Sequence, residues 1–208
     1  RLLACLLMLV LLSCQADATL TIVDHSPAVA AYDVKLDSGF AYVATQFDLC
    51  KVDLATFTLN CIGIPPAKAV ALDGSFAYVA TDAGLFQIDL ASFAIVNFIN
   101  TPSPAKDVAL DGGFAYVATD GGVCMIDLAS FAIVNFIGTP PAKAVALDGG
   151  FAYVATDAGL YRISLATFTF AGDIVTPPAK AVALDGGFAY VATDGGVHMI
   201  DLAGLAIV

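Results

Sequence analysis

The sequence predicts an all-β protein made of tandem four-stranded units of about 37 residues. The hexapeptide Phe-Ala-Tyr-Val-Ala-Thr occurs five times without change, at spacings of 36, 38, 37 and 37 residues. Short apolar segments flank every copy, separated by turn signals such as Leu-Asp-Gly-Gly and Thr-Asp-x-Gly. The five copies begin at Phe40, Phe76, Phe114, Phe151 and Phe188.

The second unit shows its four predicted strands most clearly. Ala67–Leu72 is short and apolar, and the Asp73-Gly74 dipeptide after it suits a tight hairpin. Phe76–Thr81 carries the aromatic and β-branched residues that strands prefer. Leu85–Leu90 and Ala94–Ile99 complete an antiparallel meander.

The outer segment of this unit also fits a helix. Apolar residues from Leu90 to Phe98 lie at helical spacing, and alanine and leucine favour helices. The equivalent segment Leu54–Ile62 is more strand-like, and Phe168–Ile174 contains Gly172. Because equivalent units should fold alike, we expect strands.

Four-stranded meanders repeated at this period predict the blades of a β-propeller. The first strand of most units consists of small residues, as in Ala69-Val70-Ala71. Small side chains fit at a central axis, where the blades lie closest together. The aromatic residues of the second strand would then lie further out and form a stacked belt. The expected blades span about 28–64, 65–101, 102–138, 139–175 and 176–208.

The repeat resembles a known family. The pattern Gly-x-Phe-Ala-Tyr-Val-Ala-Thr-Asp-x-Gly-Leu-x-x-Ile-Asp-Leu is similar to the LVIVD repeat and, more loosely, to the YVTN repeat of bacterial and archaeal surface β-propellers. The resemblance covers roughly residues 30–208, although the unit is shorter and richer in alanine than the usual pattern. It implies an extracytoplasmic propeller and transfers no catalytic residue.

Residues 1–18 have the pattern of a secretory signal peptide, which leaves 19–208 as the propeller domain. Arg1 precedes an apolar run from Leu2 to Leu12 that is too short to span a membrane well. Cleavage after Ala18 fits the small-x-small rule. Alternatively, Leu11-Leu12-Ser13-Cys14 resembles a lipobox, in which Cys14 would be lipidated.

The last unit stops where the third unit continues, which predicts further blades in the natural protein. Alternatively, the predicted lone strand Thr19–Val23 supplies the missing outer strand through Leu20–Val23 and closes a five-bladed ring. Length alone does not decide between these alternatives.

Composition narrows the classes of partner. The net charge is −11, with 19 acidic residues, all of them aspartate, and 8 basic residues. Basic clusters that would displace the counterions of a nucleic acid are absent from the sequence. The same charge argues against an anionic membrane surface, so membrane contact would come only through a lipid at Cys14.

Two sets of charged residues recur from unit to unit. A lysine precedes the first strand and an aspartate follows the second, and both loops should emerge on one face of the propeller. They could form an anion site, but their identity in nearly every unit favours structural ion pairs between blades and turn aspartates. The sets are Lys68, Lys106, Lys143 and Lys180, and Asp82, Asp120, Asp157 and Asp194.

One pair of positions varies between units, at the second and third residues of the predicted third strand. From these we choose Phe86, Tyr161, Arg162 and His198 as candidate binding residues. A lone histidine such as His198 is more often structural than a ligand. The full sets are Cys50, Phe86, Cys124, Tyr161 and His198, and Lys51, Gln87, Met125, Arg162 and Met199.

The cysteines allow one sharp prediction. If Asp53 lies opposite Thr58, the register places Cys50 directly opposite Cys61, within reach of a disulfide. Two reduced, buried thiols are the alternative. Cys124 has no partner in its own unit.

With two histidines and no glutamate, the sequence predicts no catalytic residue, cofactor or metal site. We expect an exported, non-enzymatic scaffold of the cell envelope or a secreted one, with a protein or glycan partner at the cell surface. One alternative is a propeller enzyme of the quinoprotein or lactonase-like kind, with ligands converging on the channel. Another is a structural surface-layer protein.

Overall fold

The computed structural model describes residues 30–208, which form twenty strands and no helix. The strands make five separate antiparallel sheets of four, each a meander in chain order, so the predicted fold class is confirmed. The predicted signal peptide with Cys14, and Thr19–Val23, lie outside the described residues. Within residues 30–208 no helix has the length and apolarity needed to cross a membrane.

Each of the five sheets forms one blade. Blade 1 contains β1 (Ala31–Asp37), β2 (Phe40–Thr45), β3 (Asp48–Asp53) and β4 (Leu59–Gly63). Blade 2 contains β5 (Ala67–Leu72), β6 (Phe76–Thr81), β7 (Gly84–Asp89) and β8 (Ala94–Asn100). Blade 3 contains β9 (Ala105–Asp111), β10 (Phe114–Thr119), β11 (Gly122–Asp127) and β12 (Ala132–Gly138). Blade 4 contains β13 (Ala142–Asp148), β14 (Phe151–Thr156), β15 (Gly159–Ser164) and β16 (Thr169–Val175). Blade 5 contains β17 (Ala179–Asp185), β18 (Phe188–Thr193), β19 (Gly196–Asp201) and β20 (Ala206–Ile207).

Glycine sets the hairpin between the first two strands of a blade. In blade 3, Asp111 pairs with Phe114, so Gly112 and Gly113 are the two turn residues. Their φ angles are 56° and 84°. A two-residue hairpin with both φ angles positive matches the twist of the flanking strands, and glycine adopts it without steric cost.

The blades pack through two repeated apolar faces. We call the face of a blade toward the next blade in the chain its leading face, and the opposite one its trailing face. In blade 2 the leading face contains Ala69, Tyr78, Ala80 and Leu85, which pack against Val117 and its neighbours in blade 3. The first strands of consecutive blades also lie side by side, as predicted. Each blade therefore buries its apolar surface against its neighbours.

The aromatic residues do not form the continuous belt predicted from the second strands. Instead the tyrosine of the second strand meets a phenylalanine from the last turn of the next blade. Tyr42 contacts Phe93 with ring centroids 6.5 Å apart, and Tyr116 stacks on Phe168 at 6.2 Å. The wedge between blades is wide enough at this radius to take a ring from each side.

These phenylalanines occupy an unusual backbone conformation. Phe57, Phe93, Phe131 and Phe168 have φ angles between 48° and 55°, in the left-handed region that bulky residues avoid. Phe93 and Phe168 are buried, at 9% and 6% exposure. Burial of the ring offsets the backbone strain there.

Candidate functional site

The first strands carry the clearest departure from the repeat. In blades 2, 4 and 5 the middle of this strand reads Ala-Val-Ala. Blade 1 has Asp33-Val34-Lys35 in the same place, and blade 3 has Asp107-Val108-Ala109. The first strands of consecutive blades contact one another, so the substitutions introduce charge into the innermost strands of the described blades.

Each of the two aspartates ties its own blade to the next one. Asp33 accepts hydrogen bonds from the backbone N–H of Val34 at 2.8 Å and of Val70, in blade 2, at 3.0 Å. Asp107 accepts from Val108 at 2.8 Å, and its other oxygen accepts from the N–H of Val145, in blade 4, at 2.8 Å. Two carboxylates thus satisfy four backbone donors on the open edges of the first strands.

Burial and hydrogen bonding act in opposite directions on the pKa of Asp107. Burial raises the pKa of Asp107 to about 6, against the lowering effect of its two backbone N–H donors. The charge of Asp33 raises this pKa further and that of Lys35 lowers it. Lys35 itself places its Nζ 3.1 Å from Oδ1 of Asp33, at an exposed position.

Asp33 and Asp107 therefore have a structural role on the innermost strands. All four oxygens of Asp33 and Asp107 already accept a backbone hydrogen bond. Within residues 30–208, no three His, Cys, Asp or Glu residues cluster as metal ligands would. Asp33 and Asp107 were not among the site residues predicted from the sequence, although each breaks the Ala-Val-Ala pattern of the first strand.

The recurring lysine and aspartate sets meet on one face, as predicted, but they pair within blades and not between them. The lysine at the start of a blade's first strand reaches the aspartate after its own second strand, because those two strands are neighbours in the sheet. Lys68 pairs with Asp82 at 3.6 Å, Lys106 with Asp120 at 3.1 Å, Lys143 with Asp157 at 3.4 Å, and Lys180 with Asp194.

Phe86 and Tyr161, two of the candidate binding residues, are half-buried on the trailing faces of blades 2 and 4. Each contacts an aromatic ring of the fourth strand: Phe86 meets Phe98 at 4.4 Å between ring centroids, and Tyr161 meets Phe170 at 5.5 Å. The third strands of blades 2 and 4 begin at Gly84 and Gly159, so Phe86 and Tyr161 are the third residues of their strands, not the second as predicted. The side chain at this position packs with an aromatic residue of the fourth strand and fills the space between neighbouring blades.

The neighbouring variable position carries two cations that also join blades. Arg162 donates to the carbonyl of Leu202 in blade 5 at 3.2 Å and to that of Ala171 at 3.1 Å. Lys51 donates to the carbonyl of Leu90 in blade 2 at 2.9 Å, and its Nζ lies 4.2 Å from the centre of the Phe40 ring. Arg162, chosen as a binding residue, is thus held in a junction.

A polar chain takes the place of a cation at this position in blade 2. Gln87 is buried and donates to the hydroxyl of Tyr78 at 3.1 Å, while Asn97 donates to Gln87 Oε1 at 2.6 Å. The Tyr78 hydroxyl donates to Asp73 at 2.9 Å. Burial, followed by this bond to Asp73, raises the pKa of Tyr78 to about 12. The phenol therefore serves as a neutral donor.

The remaining variable residues lie apart from one another. His198 is half-buried in β19 of blade 5, opposite Val191. Cys124 is buried in blade 3, and burial raises the pKa of its thiol to about 11. The four candidate binding residues belong to three blades, and the described structure does not bring them together in one site.

Cys50 and Cys61 form a disulfide in the structure. They face each other across β3 and β4, and the N–H of Asp53 binds the carbonyl of Thr58 as the register requires. The bridge ties the short outer strand of blade 1 to its neighbour.

Two family models match the sequence. Residues 71–208 match the model of the HVO_0234-like β-propeller family, and residues 30–55 match the LVIVD repeat. The second match confirms the resemblance seen in the repeat. No curated protein matches the sequence significantly.

Several solved propellers share the fold at low sequence identity. The computationally designed Ika8 protein has a TM-score of 0.76 at 12% identity, with 89% of this chain covered and 62% of that one. Hydrazine synthase of Kuenenia stuttgartiensis has a TM-score of 0.73 at 18% identity, covering 85% and 64%. The Neurospora crassa Pan2 WD40 domain has a TM-score of 0.68 at 14% identity, covering 82% and 61%. The chain therefore spans less than two thirds of the length of each.

Proposed function

The chain belongs to the HVO_0234-like β-propeller family, and we propose that it is an exported binding scaffold that recognises a protein partner through its outer rim. The outer rim is the set of fourth strands, β4, β8, β12 and β16. These strands are the outermost of blades 1–4, and each has one edge without a strand neighbour among the described residues.

The observation that supports this proposal best is that the outer rim exposes large apolar side chains to solvent. Ile95, Val96 and Phe98 of β8 are 43%, 47% and 41% exposed. Val134 and Phe136, in the matching strand β12, are 52% and 43% exposed. Contiguous exposed apolar surface marks interaction sites in soluble proteins.

The chemistry of the rim suits an extended segment of a partner protein. The segment Ala94–Ile99 repeats as Ala132–Ile137 without a charged residue or proline. Natural edge strands are usually protected by such residues. An unprotected edge can add a strand from a partner, with backbone hydrogen bonds for affinity and apolar side chains for selectivity. This chemistry favours a protein over a glycan.

The charged residues of the innermost strands support a scaffold better than the enzyme alternative. The half-buried carboxylates of Asp33 and Asp107 already join blades and accept hydrogen bonds from four backbone N–H groups. The variable residues Arg162 and Lys51 are likewise committed to carbonyl groups of the next blade. The residues that vary between blades therefore strengthen the contacts between blades and keep the outer rim in a fixed position.

Export to an oxidising compartment is part of the proposal. The signal-like residues 1–18 and the Cys50–Cys61 disulfide both support it, because structural disulfides persist outside the reducing cytosol. Whether the chain is secreted or anchored through a lipid at Cys14 depends on which cleavage occurs. Mass spectrometry of the mature N-terminus in the producing cell decides between them.

A rim variant tests the binding proposal. Phe98→Ser with Phe136→Ser removes apolar surface from two rim strands, and Lys180→Ser on the loop face is the control. Each protein is immobilised and incubated with envelope proteins from the producing organism. The affinity of each purified partner is then measured by titration in solution. We expect the rim variant to lose at least tenfold in affinity and the control to retain it. A partner that binds both variants equally, or none in the envelope, refutes the proposal.

A further inference from the structure

We propose that a cavity between blades 1 and 2 binds a sugar residue that carries one carboxylate, as uronic acids do. This inference goes beyond the proposed function and does not depend on it, because the cavity meets the outer rim only at the start of β4. We call it the junction cavity, and its volume is about 290 Å³. The residues that line it include Phe40, Lys51, Asp53, Asn60, Ser92 and Phe93.

Two neighbouring blades form the walls of the junction cavity. In the sheet of blade 1, Phe40 lies opposite Asp53. Lys51 lies opposite Asn60 and two residues before Asp53, so all these side chains share one face of the sheet. Phe93, immediately before β8 of blade 2, contributes to the other wall. The cavity therefore lies at a contact between blades and not on an end face.

Lys51 brings to this cavity a positive charge without a carboxylate partner. The five ion pairs within residues 30–208 use other lysines, namely Lys35, Lys68, Lys106, Lys143 and Lys180. Lys51 instead donates to the carbonyl of Leu90 at 2.9 Å, and its Nζ lies 4.2 Å from the centre of the Phe40 ring. An ammonium group has three N–H donors, so these two contacts hold the charge in place and leave one donor for a ligand.

The charges around the cavity suit a ligand with a single negative charge. Among the described residues that line it, Lys51 is the only cation, and the carboxylate of Asp53 lies in the same wall. A doubly charged phosphate would be repelled by Asp53 and by a chain of net charge −11. A carboxylate is matched by one ammonium group, through a charge-assisted hydrogen bond.

The polar groups near Lys51 suit a ligand that is rich in hydroxyl groups. The side-chain amide of Asn60 can donate and accept hydrogen bonds. The Ser92 hydroxyl donates to a carboxylate of its own turn at 2.7 Å, so its oxygen is left as an acceptor. Asp53 uses Oδ1 to accept two backbone N–H groups, and Oδ2 can accept from a ligand. A sugar hydroxyl both donates and accepts, so it can pair with each of these groups.

The size and the apolar part of the cavity fit one sugar ring. Phe40 is half-buried and Phe93 is buried, so aromatic carbon lies beside the polar groups and can pack against the C–H bonds of a pyranose. Asn60 and Ser92 are exposed, so the cavity opens to solvent. Its volume is close to the lower limit of ligand cavities, roughly 300 Å³, which favours a single terminal residue.

No other described blade repeats this combination of residues. Blades 2 and 3 have a neutral residue, Gln87 or Met125, at the position of Lys51. Blade 4 has Arg162 there, but glycine lies opposite it, and the guanidinium donates to two carbonyl groups. The junction of blades 1 and 2 therefore differs from the others in the chemistry that a carboxylate-bearing sugar needs.

Calorimetric titration of the full chain tests the proposal. The probes are the methyl glycosides of glucuronic, galacturonic and mannuronic acid, each compared with the neutral methyl glycoside of the same configuration. Acetate and inorganic phosphate serve as anions without a sugar ring. We expect at least one uronide to bind about tenfold or more tightly than its neutral counterpart and than either small anion, because the neutral sugar lacks the charged hydrogen bond to Lys51.

Two variants of the cavity and one matched control locate the site. Lys51→Met removes the cation and introduces the residue of blades 3 and 5. Asn60→Asp, at an exposed position, keeps the bond from Lys51 to blade 2 and places a negative charge opposite the ammonium group. Each should weaken uronide binding about tenfold or more. Arg162→Met removes the other cation that has no ion pair in residues 30–208, and it should leave the affinity unchanged. Circular dichroism verifies that all three fold.

Four outcomes would overturn the proposal. No uronide could bind, or every uronide could bind no better than its neutral counterpart, which removes the role of the charge. Acetate or phosphate could bind as tightly as the best uronide, which makes the cavity a site for simple anions. Asn60→Asp and Lys51→Met could both retain full affinity, or Arg162→Met could lose as much as they do, and either result places the sugar elsewhere.

Discussion

The carboxylate of Asp107 accepts a hydrogen bond from the backbone N–H of Val145, 38 residues further along the chain and one blade away. A buried side chain that bridges two blades makes the junction responsive to pH. Burial raises its pKa from 3.8 to about 6, so the folded state binds the proton more tightly than the unfolded state. The contribution of this pKa difference to the unfolding free energy is therefore at its full value below pH 4, and it is lost as the pH rises through 6.

Asp107→Ala tests this linkage, because alanine is the residue at the same position in blades 2, 4 and 5. Relative to the variant, the native chain should lose up to about 3 kcal/mol of unfolding free energy between pH 4 and pH 7. Urea denaturation of both proteins across this range measures the difference. Parallel stability curves would show that Asp107 has no linked proton.

The left-handed phenylalanines give a pair of opposite predictions. Phe57 is 40% exposed and Phe168 is 6% exposed, in nearly the same backbone conformation. Phe57→Gly should leave the unfolding free energy unchanged or raise it by up to about 1 kcal/mol, because glycine relieves strain. Phe168→Gly should lower it by about 2–3 kcal/mol, because the buried ring is lost. Equal effects at the two sites would contradict the balance of strain and burial.

Reduction of the Cys50–Cys61 disulfide should destabilise blade 1. The bridge spans 11 residues, and closing a loop of this size contributes about 3 kcal/mol in the chain-entropy model. Thermal unfolding with and without dithiothreitol measures the loss. The double variant Cys50→Ala with Cys61→Ala is the control, and it should be insensitive to the reductant. A native chain equally insensitive to dithiothreitol would argue against a structural bridge.

Removing Arg162 should loosen blade 5 more than the rest of the molecule. Arg162→Met introduces the residue that blades 3 and 5 have at this position and removes both bonds to backbone carbonyls. A hydrogen bond from a charged donor contributes about 1.5–3 kcal/mol, so amide exchange in blade 5 should accelerate roughly tenfold or more. Hydrogen exchange with mass spectrometry locates the effect. Lys51→Met is the matched variant, and its effect should be confined to blades 1 and 2.

Sequence reasoning succeeded where repetition supplied the evidence. Phe76–Thr81 was predicted to the residue, and Leu85–Leu90 and Ala94–Ile99 to within one residue at either end. The helix alternative for the outer segment was wrong because the strand completes a sheet that the isolated segment does not reveal. Local propensity yields to pairing in such cases.

The junction contacts were beyond the sequence for a physical reason. The bond from Val145 to Asp107 and that from Arg162 to Leu202 depend on which side chains face the next blade. A repeat reveals its periodicity but not the orientation of one blade against another. Phe93 at a positive φ angle was equally hidden, because only burial in the wedge explains a bulky residue there.

The side-chain bridges are unevenly distributed around the arc. Asp33 and Lys51 both reinforce the contact of blades 1 and 2, Asp107 that of blades 3 and 4, and Arg162 that of blades 4 and 5. In the part of the chain that the structure describes, no such bridge crosses from blade 2 to blade 3. Under mechanical load the contact between blades 2 and 3 should therefore separate first. Blades 1 and 2 would stay joined by their side-chain hydrogen bonds, and so would blades 3 to 5.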